Sequence, residues 1–362
     1  MPAMLDIGEV AAVARQFELD GAVSTVEPIE VGIINATFLV RGVVARYVVQ
    51  RLNAGVFRNP EAVMGNVERV TAHLAGKAAS GGGRALRLVR TVDGGGWVKE
   101  GGSYWRCYDY VEGCKTVNVI ETLGQAREAG RAFGEFLRLV GDLPVEELVE
   151  TIPQFHDTMS RYERLMQAAA RDVCGRAGAV GRELAAIRQR KPLAARFQDL
   201  EARGEIRRRV VHNDTKINNV MFDAVSGEAV CVIDLDTVMP GLALHDFGDL
   251  VRSATNPAAE DERELARVVP RMDVFGAIAE GFLAAAGDIL TQREREELAI
   301  APQVLALELA ARFLTDHLEG DGYFQIQRAG QNLDRCRAQL ALLAGFEAAE
   351  EQMLELLGKG IC

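Results

Sequence analysis

Apolar residues fall at helical spacing near the start of the chain, at Ile7, Val10, Ala11, Ala14 and Phe17, and predict a first helix that packs on the elements after it. The period then shortens. Residues 26 to 41 hold two β-like runs around Val31, Gly32, Ile33, Ile34 and Asn35, and a third strand is expected over residues 45 to 52. Asn59, Pro60 and Glu61 make a helix start, with Asn as cap, Pro in the first turn and an acid at the positive end. Val63, Val67, Val70 and Leu74 then share one face, and Glu68 is either a partner for Arg51 or a solvent-facing acid. Strand-like runs over 86 to 92, 96 to 99 and 103 to 111 come next. Gly94, Gly95 and Gly96 join the first two as a hairpin turn, because they lack the Lys-Ser/Thr ending of a phosphate loop.

From Glu121 onward the period is helical. Leu123, Ala126, Phe133, Phe136 and Leu137 form one stripe, residues 159 to 170 another and 184 to 197 a third. Thr291, Gln292, Arg293 and Glu294 spell a capping box, expected to start a long helix reaching about His317, and a last amphipathic helix is expected over 332 to 343. Strands first and helices afterwards is an α+β order.

One stretch interrupts the helices. Between residues 210 and 253, two short apolar runs, Val210 with Val211 and residues 230 to 233, each end in polar residues that an ordinary strand has no reason to carry. Asp214 is followed by Lys216 and Asn219, the catalytic-loop spacing of phosphoryl-transfer enzymes built like protein kinases. In that chemistry Asp214 accepts the proton of an attacking hydroxyl, Lys216 sits on the transferring phosphate, and the amide oxygen of Asn219 is a hard ligand for Mg²⁺. After strand, turn and strand comes Asp234, placed to bridge the metal to the β- and γ-phosphates. Singly, each of these is a common cap or turn residue; their joint spacing is not explained by capping. Asp246 and Asp249 read as caps that open the next helix, or as acids that brace the loop.

A strand, a Gly-containing turn and a second strand around Gly32 is also the layout of a loop that lays backbone amides over phosphates. The next strand, YVVQRLN, should carry the cation that grips them. Side chains alternate, so either Gln50 or Arg51 faces the nucleotide, and charge favours Arg51.

Composition narrows the class. At 362 residues the chain has room for a large core in two lobes. A net charge of −11 argues against a nucleic-acid surface, whereas ATP needs only Mg²⁺ and a few oriented donors. Six cysteines lack metal-ligand spacing and fit free thiols. With no signal-peptide pattern and no apolar stretch of membrane-spanning length, a cytoplasmic protein without a membrane partner is expected.

His212, Asn213 and Asp214 with Asn219, then IDLD at 233 to 236, resemble the aminoglycoside phosphotransferase and choline kinase group. Within it, HNDTKINN followed by IDLDTVMPGLALHDFGDLVR is similar to N-acetylhexosamine 1-kinases, and the likeness runs more thinly from about Val31 to about Leu342. The resemblance implies a protein-kinase-like two-lobed fold, with a small antiparallel N-lobe over 1–112 that binds nucleotide and a large, mostly helical C-lobe over 113–362. It implies phosphorylation of the anomeric hydroxyl of GlcNAc or GalNAc by ATP and Mg²⁺. Gly32, Asn35, Thr37 and Phe38 match the family's Gly-x-x-Asn-x-Thr-[Phe/Tyr] turn, with Ala36 where relatives often carry an acid. Tyr110 and Val111 fall where the backbone meets adenine, and Arg312 and Tyr323 where side chains meet the sugar. Without the resemblance, Arg312 would read as an exposed i, i+4 partner of Asp316. A kinase of another small alcohol, such as an unacetylated sugar, an amino alcohol or an aminoglycoside, and a nucleotide-binding pseudokinase are the rival readings.

Overall fold

The computed structural model describes residues 7 to 29, 35 to 79 and 85 to 359. Its first part is a five-stranded antiparallel sheet in the order β1-β2-β3-β5-β4, formed by β1 (Val23–Ile29), β2 (Ala36–Gly42), β3 (Arg46–Arg51), β4 (Val98–Glu100) and β5 (Ser103–Asp109). Helix α1 (Ile7–Ala14) lies on one face of it and α2 (Pro60–Ala79) belongs to the other.

The strand register explains the two faces. Phe38 pairs with Val49, Val49 with Cys107 and Arg51 with Trp105, so alternate residues bring Phe38, Val40, Val49, Trp105 and Cys107 together against Val10, Val13 and Phe17. The intervening residues, Thr37, Gln50 and Arg106, line up on the opposite face. That face is the polar one.

After Asp109 the chain changes sheets. Strand β6 (Cys114–Lys115) pairs with β8 (Val220–Asp223), which pairs with β9 (Ala229–Val232), and β7 (Arg209–Val211) pairs with β10 (Met239–Gly241). Helices α3 (Leu123–Leu139), α4 (Thr158–Arg171), α5 (Gly181–Gln189) and α6 (Lys191–Ala202) precede this small β region. Helices α7 (Ala243–Thr255), α8 (Met272–Ala286), α9 (Gln292–Glu296), α10 (Ala301–Glu319), α11 (Gln331–Ala348) and α12 (Glu350–Lys359) come after it.

The largest apolar core joins α2, α3, α7 and α8 to the β8–β9 hairpin, and α3 and α8 meet backbone to backbone. A Cβ on Gly130 would lie 2.2 Å from the Ile278 carbonyl oxygen, so any side chain there would push the two helices apart. A second core packs α4 and α5 against α10 and α11.

Some expectations change. The run over 86 to 92 makes only isolated bridges, Leu88 with Tyr108 and Thr91 with Phe17, and no hairpin strand with 96 to 99. The capping box at Thr291 is present, but it starts only the short α9; the chain turns, and α10 begins again with Pro302 in its first turn. Proline lacks the N–H that an uninterrupted helix would require there, which is why one long helix becomes two. The last helix is longer than its apolar stripe, and the charged segment beyond it forms α12, whose Met353 and Leu357 are buried in the main core. No helix among the described residues is long and apolar enough to cross a membrane. Cys107, Cys174 and Cys336 are free thiols.

Candidate active site

The loop that carries Asp214 leaves β7 and is tied down before it reaches that residue. His212 is fully buried between the edges of Phe133 and Phe136. Its Nδ1 accepts the Asp214 N–H at 3.2 Å, so Nε2 carries the proton and donates to the Ile233 carbonyl at 2.9 Å. Burial lowers its pKa and keeps this neutral form. One ring thus fastens the loop of Asp214 to the strand end of Asp234.

Asn213 adopts φ 64°, a left-handed conformation that Asn tolerates because its short amide bonds locally; here it donates to the carbonyls of Thr237 at 3.0 Å and Met239 at 3.4 Å. Gly241 is required beside it, since a Cβ would fall 2.7 Å from Asn213 Oδ1. Asp246 accepts the backbone N–H groups of His212 at 2.9 Å and Asn213 at 2.7 Å. Of the two readings of this acid, bracing the loop is therefore the one observed; no side chain caps α7.

Asp214 is 21% exposed, with Lys216 Nζ 3.2 Å from Oδ1 and Asn219 Nδ2 3.3 Å from Oδ2. The Asp214 carboxylate is the main cause that raises the Lys216 pKa and keeps it charged. Asn219 Nδ2 also holds the Asp214 carbonyl at 2.7 Å, which leaves the amide's Oδ1 as its available acceptor. The Ile233 N–H donates to the Asn219 carbonyl at 2.9 Å, so Asn219 and Asp234 stand side by side.

Asp234 takes φ 62° and opens onto the cleft. Withdrawal from bulk water, then the charges of Asp236 and Asp214, push its carboxyl up to about 7. Because the side chain is open to the cleft, the clustered charge is the sounder of these causes. Such crowding is what a divalent cation relieves, and the donors are hard oxygens suited to Mg²⁺. No group of three or more His, Cys, Asp or Glu that could hold a metal gathers among the described residues, and a Mg²⁺ held by one or two carboxylates and phosphate needs none.

The opposite wall of the cleft departs from expectation. Gly32 lies outside the described residues. Asn35 spends its side chain on bracing: Nδ2 donates to Asp236 at 2.6 Å and Oδ1 accepts the Asn53 N–H at 3.0 Å. Thr37 Oγ1 accepts from Gln50 Nε2 at 3.1 Å. Arg51, the expected phosphate cation, is paired with Trp105 on the α1 face, its guanidinium 6.0 Å from that ring, and so points away from Asp236.

The cation on the cleft face is Arg106, which sequence reasoning missed. It is 1% exposed, ion-paired to Asp236 (3% exposed), and donates to Gln50 Oε1 at 3.0 and 2.8 Å. Burial works against its charge, but Asp236 beside it raises the pKa. A lone arginine between Trp105 and Cys107 in an apolar strand was the available signal. Glu68, offered as a partner for Arg51, lies 3.8 Å from Arg90 instead. At the exit from the sheet, the Tyr110 N–H donates to the Arg46 carbonyl at 3.1 Å and Arg46 stacks 4.2 Å over its ring, with Val111 next in line.

The loop of Asp214 and the acidic strand end of Asp234 are joined by a further finding: the model of the phosphotransferase enzyme family matches residues 25–285. The chain belongs to that family. An aminoglycoside phosphotransferase from Alicyclobacillus acidocaldarius superposes with TM-score 0.68 at 12% identity, over 99% of this chain and 98% of that one. Spectinomycin phosphotransferase, solved with ADP and spectinomycin, gives 0.59 at 13% over 96% and 99%, and choline kinase from Cryptosporidium parvum gives 0.58 at 12% over 99% and 100%. Identities this low show the shared kinase-like fold.

The helical side of this phosphotransferase holds the remaining two candidates. Arg312 is 15% exposed, lies between the rings of Phe155 and Phe324 at 5.6 and 5.5 Å, and pairs with Glu308 at 3.8 Å. It does not pair with Asp316, whose carboxylate accepts the N–H groups of Tyr323 at 2.8 Å and Phe324 at 2.9 Å and so pins their loop. Tyr323 is 65% exposed, its ring edge-on to Phe324. Nearby Arg161 donates to the carbonyls of Gln154 and Phe155, and burial together with Arg312 lowers its pKa.

Proposed function

We propose that this phosphotransferase uses Mg-ATP to phosphorylate the anomeric hydroxyl of an N-acetylhexosamine, GlcNAc or GalNAc. The observation that carries the acceptor class is the balance of charge around Arg312. Arg161 and Arg312 face a single acid, Glu308, and that acid is already bonded to His156 at 3.0 Å. The other nearby acids are committed elsewhere: Glu319 to Arg164 at 2.8 Å and Arg171 at 2.6 Å, and Asp321 to Arg176 at 2.6 Å. A cationic amino alcohol or aminoglycoside would meet guanidinium, not carboxylate, whereas a neutral, oxygen-rich sugar finds donors and aromatic walls. Arg312 and Tyr323 are the residues we assign to the sugar.

In this reading residues 1–112 bind the nucleotide and 113–362 the acceptor. Asp214 orients the acceptor hydroxyl and takes its proton as the oxygen attacks the γ-phosphorus. The new O–P bond forms in line with the breaking bond to the β-phosphate oxygen, and ADP leaves. Lys216 and Arg106 offset negative charge on the phosphates, and the Tyr110 to Val111 backbone receives adenine. Asn219 and Asp234 would hold Mg²⁺, which supplies charge neutralisation at the β- and γ-phosphates. Direct transfer needs no phosphoenzyme.

The test is ADP release from Mg-ATP across sugars and amino alcohols. Turnover with GlcNAc or GalNAc that vanishes in Asp214→Ala supports the proposal. Turnover confined to cationic alcohols overturns the acceptor assignment, and ATP binding without turnover on any acceptor overturns the enzyme reading in favour of a binding module.

A further inference from the structure

His156 lies outside every motif that the sequence presents, yet it touches both halves of the site. Its Nδ1 is 3.0 Å from a carboxylate oxygen of Glu308, and its Nε2 is 2.9 Å from the backbone carbonyl of Asn213. The Asn213 carbonyl can only accept, and Glu308, held ionised by the charges of His156 and Arg312 against its own burial, accepts as well. A neutral imidazole has one N–H and would leave a lone pair facing one of them, so the ring that satisfies both bonds is the imidazolium. Glu308 is fully buried, and Thr158 Oγ1 donates to its second oxygen at 2.9 Å, which holds the carboxylate in place. A buried ion pair of this kind is costly in isolation and strongly coupled: remove one charge and the other is stranded.

We infer that His156 is a positioning residue: held as an imidazolium by Glu308, it clamps the Asn213 carbonyl and thereby fixes the loop that presents Asp214 while tying it to the helix that carries Arg312. This rests on the reading of Asp214 as the base. The chain of contacts is short. Arg312 approaches Glu308, Glu308 bonds His156, His156 bonds Asn213, and Asn213 is the left-handed residue immediately before Asp214. The N–H of Asn213 is held from the other side by a carboxyl oxygen of Asp246, so its peptide groups are gripped at both the carbonyl and the N–H.

The groups around the ring agree with a cation. Helix α10 contributes Glu308, with Arg312 one turn further on. Helix α7 contributes Asp249, whose charge favours it, Asp246, whose carboxyl burial pushes up to about 7, and His245, 4.8 Å away ring to ring, which burial and then His156 itself hold down to about 3 and therefore neutral. Burial opposes the charge on His156, but Glu308 raises its pKa, and Glu308 in turn is lowered to about 2, chiefly by His156 against its own burial. The two shifts agree in sign. The pair is complete between the ordinary ranges of a carboxylic acid and a histidine. It is lost on the acid side as Glu308 protonates below its ordinary value of 4.5 toward about 2, and on the alkaline side as pH rises through the raised pKa of His156.

The test uses the full chain with ¹⁵N-labelled histidine. The five histidines are few enough to assign, His156 by its disappearance in His156→Gln. At about pH 8, where an ordinary histidine is neutral, the wild-type His156 ring is expected to carry protons on both nitrogens, and in Glu308→Gln to be neutral. With Mg-ATP and GlcNAc at that pH, Glu308→Gln should lose about 10- to 100-fold in kcat, with KM for ATP within about two-fold of wild type. Most of that loss should be regained at about pH 6, where the ring protonates without help. His156→Gln, which keeps an N–H for the Asn213 carbonyl, should retain more kcat than His156→Leu. A neutral wild-type ring at about pH 8 overturns the proposal, and this measurement needs neither an acceptor nor an active variant. Wild-type kcat and pH profile in Glu308→Gln, with Asp214→Ala inactive, also overturn it. Turnover that survives Asp214→Ala overturns the reading of Asp214 instead.

Discussion

The two walls of the cleft are built on different principles. The wall from the loops is local: His212, Asn213, Asp214, Lys216, Asn219 and Asp234 lie within one continuous stretch, 212–234, and its internal bonds, from Asp214 N–H to His212 and from Ile233 N–H to Asn219, stay inside that stretch. The wall from the five-stranded sheet is assembled by register. Thr37, Gln50 and Arg106 come from three strands and meet only because Thr37 pairs with Gln50 and Gln50 with Arg106. What closes the cleft is a contact between the walls, where Asp236 receives both Arg106 and Asn35. Spacing along the chain therefore identifies residues of the first wall, whereas the second is identified only once strand pairing is known.

The largest effect should come from the local wall. Asp214→Asn keeps the shape and a hydrogen-bonding group but removes the base, and kcat should fall by roughly 10²- to 10⁴-fold while ATP still binds, measured by ADP release and by nucleotide titration. The register-built wall should respond differently. Arg106→Met strands Asp236 in a buried place, with an expected stability loss of about 3–5 kcal/mol read by thermal or denaturant unfolding. Because its partner carboxylate is the source of that loss, adding Asp236→Asn should restore part of the stability but not the affinity for ATP. If Arg106→Met binds ATP as the wild type does, the cation has been assigned to the wrong residue.

A smaller effect is expected on the acceptor side. Arg312→Met removes charge-assisted hydrogen bonds to the sugar, and KM for GlcNAc should rise about 10-fold or somewhat more, with kcat at saturation far less affected. The same change lowers the positive charge that opposes ammonium groups, so any residual turnover of an amino alcohol should rise relative to that of the sugar.

How much of the molecule is legible in its sequence follows the same division. Helix starts carry their own chemistry in a few adjacent residues, so the Asn59 cap, which accepts the Ala62 N–H at 3.1 Å, and the Thr291 capping box were legible. The α+β order and the catalytic hairpin were legible because period and spacing are local properties. Partners distant in sequence were not: Asn35 could be picked out but not its use on Asp236, and Arg312 but not its partner Glu308, since a helix offers i−4 and i+4 on the same face. His156 had no signal at all. Its partners are a backbone carbonyl and a buried acid on a helix far along the chain, and neither leaves a pattern around residue 156.

The smallest expected effect is the sharpest test of the register. Charge alone favours Arg51 over Gln50 as the phosphate cation, because a guanidinium neutralises an anion and an amide does not. Pairing reverses that preference. In an antiparallel ladder, directly opposed residues project to the same side, so Arg51 must share the face of Trp105, while Gln50 shares that of Arg106. The residue with the charge is on the wrong side, and the one on the right side instead orients a charge borrowed from the next strand, through bonds of 3.0 and 2.8 Å. Arg51→Met keeps a long apolar stem against the Trp105 ring and should change KM for ATP by less than about two-fold. Gln50→Leu leaves every charge in place but frees the Arg106 fork, and should raise that KM by about 3- to 10-fold, the worth of one ordinary hydrogen bond. The opposite ranking, with Arg51→Met the more damaging, would mean that the sheet presents its other face to the nucleotide.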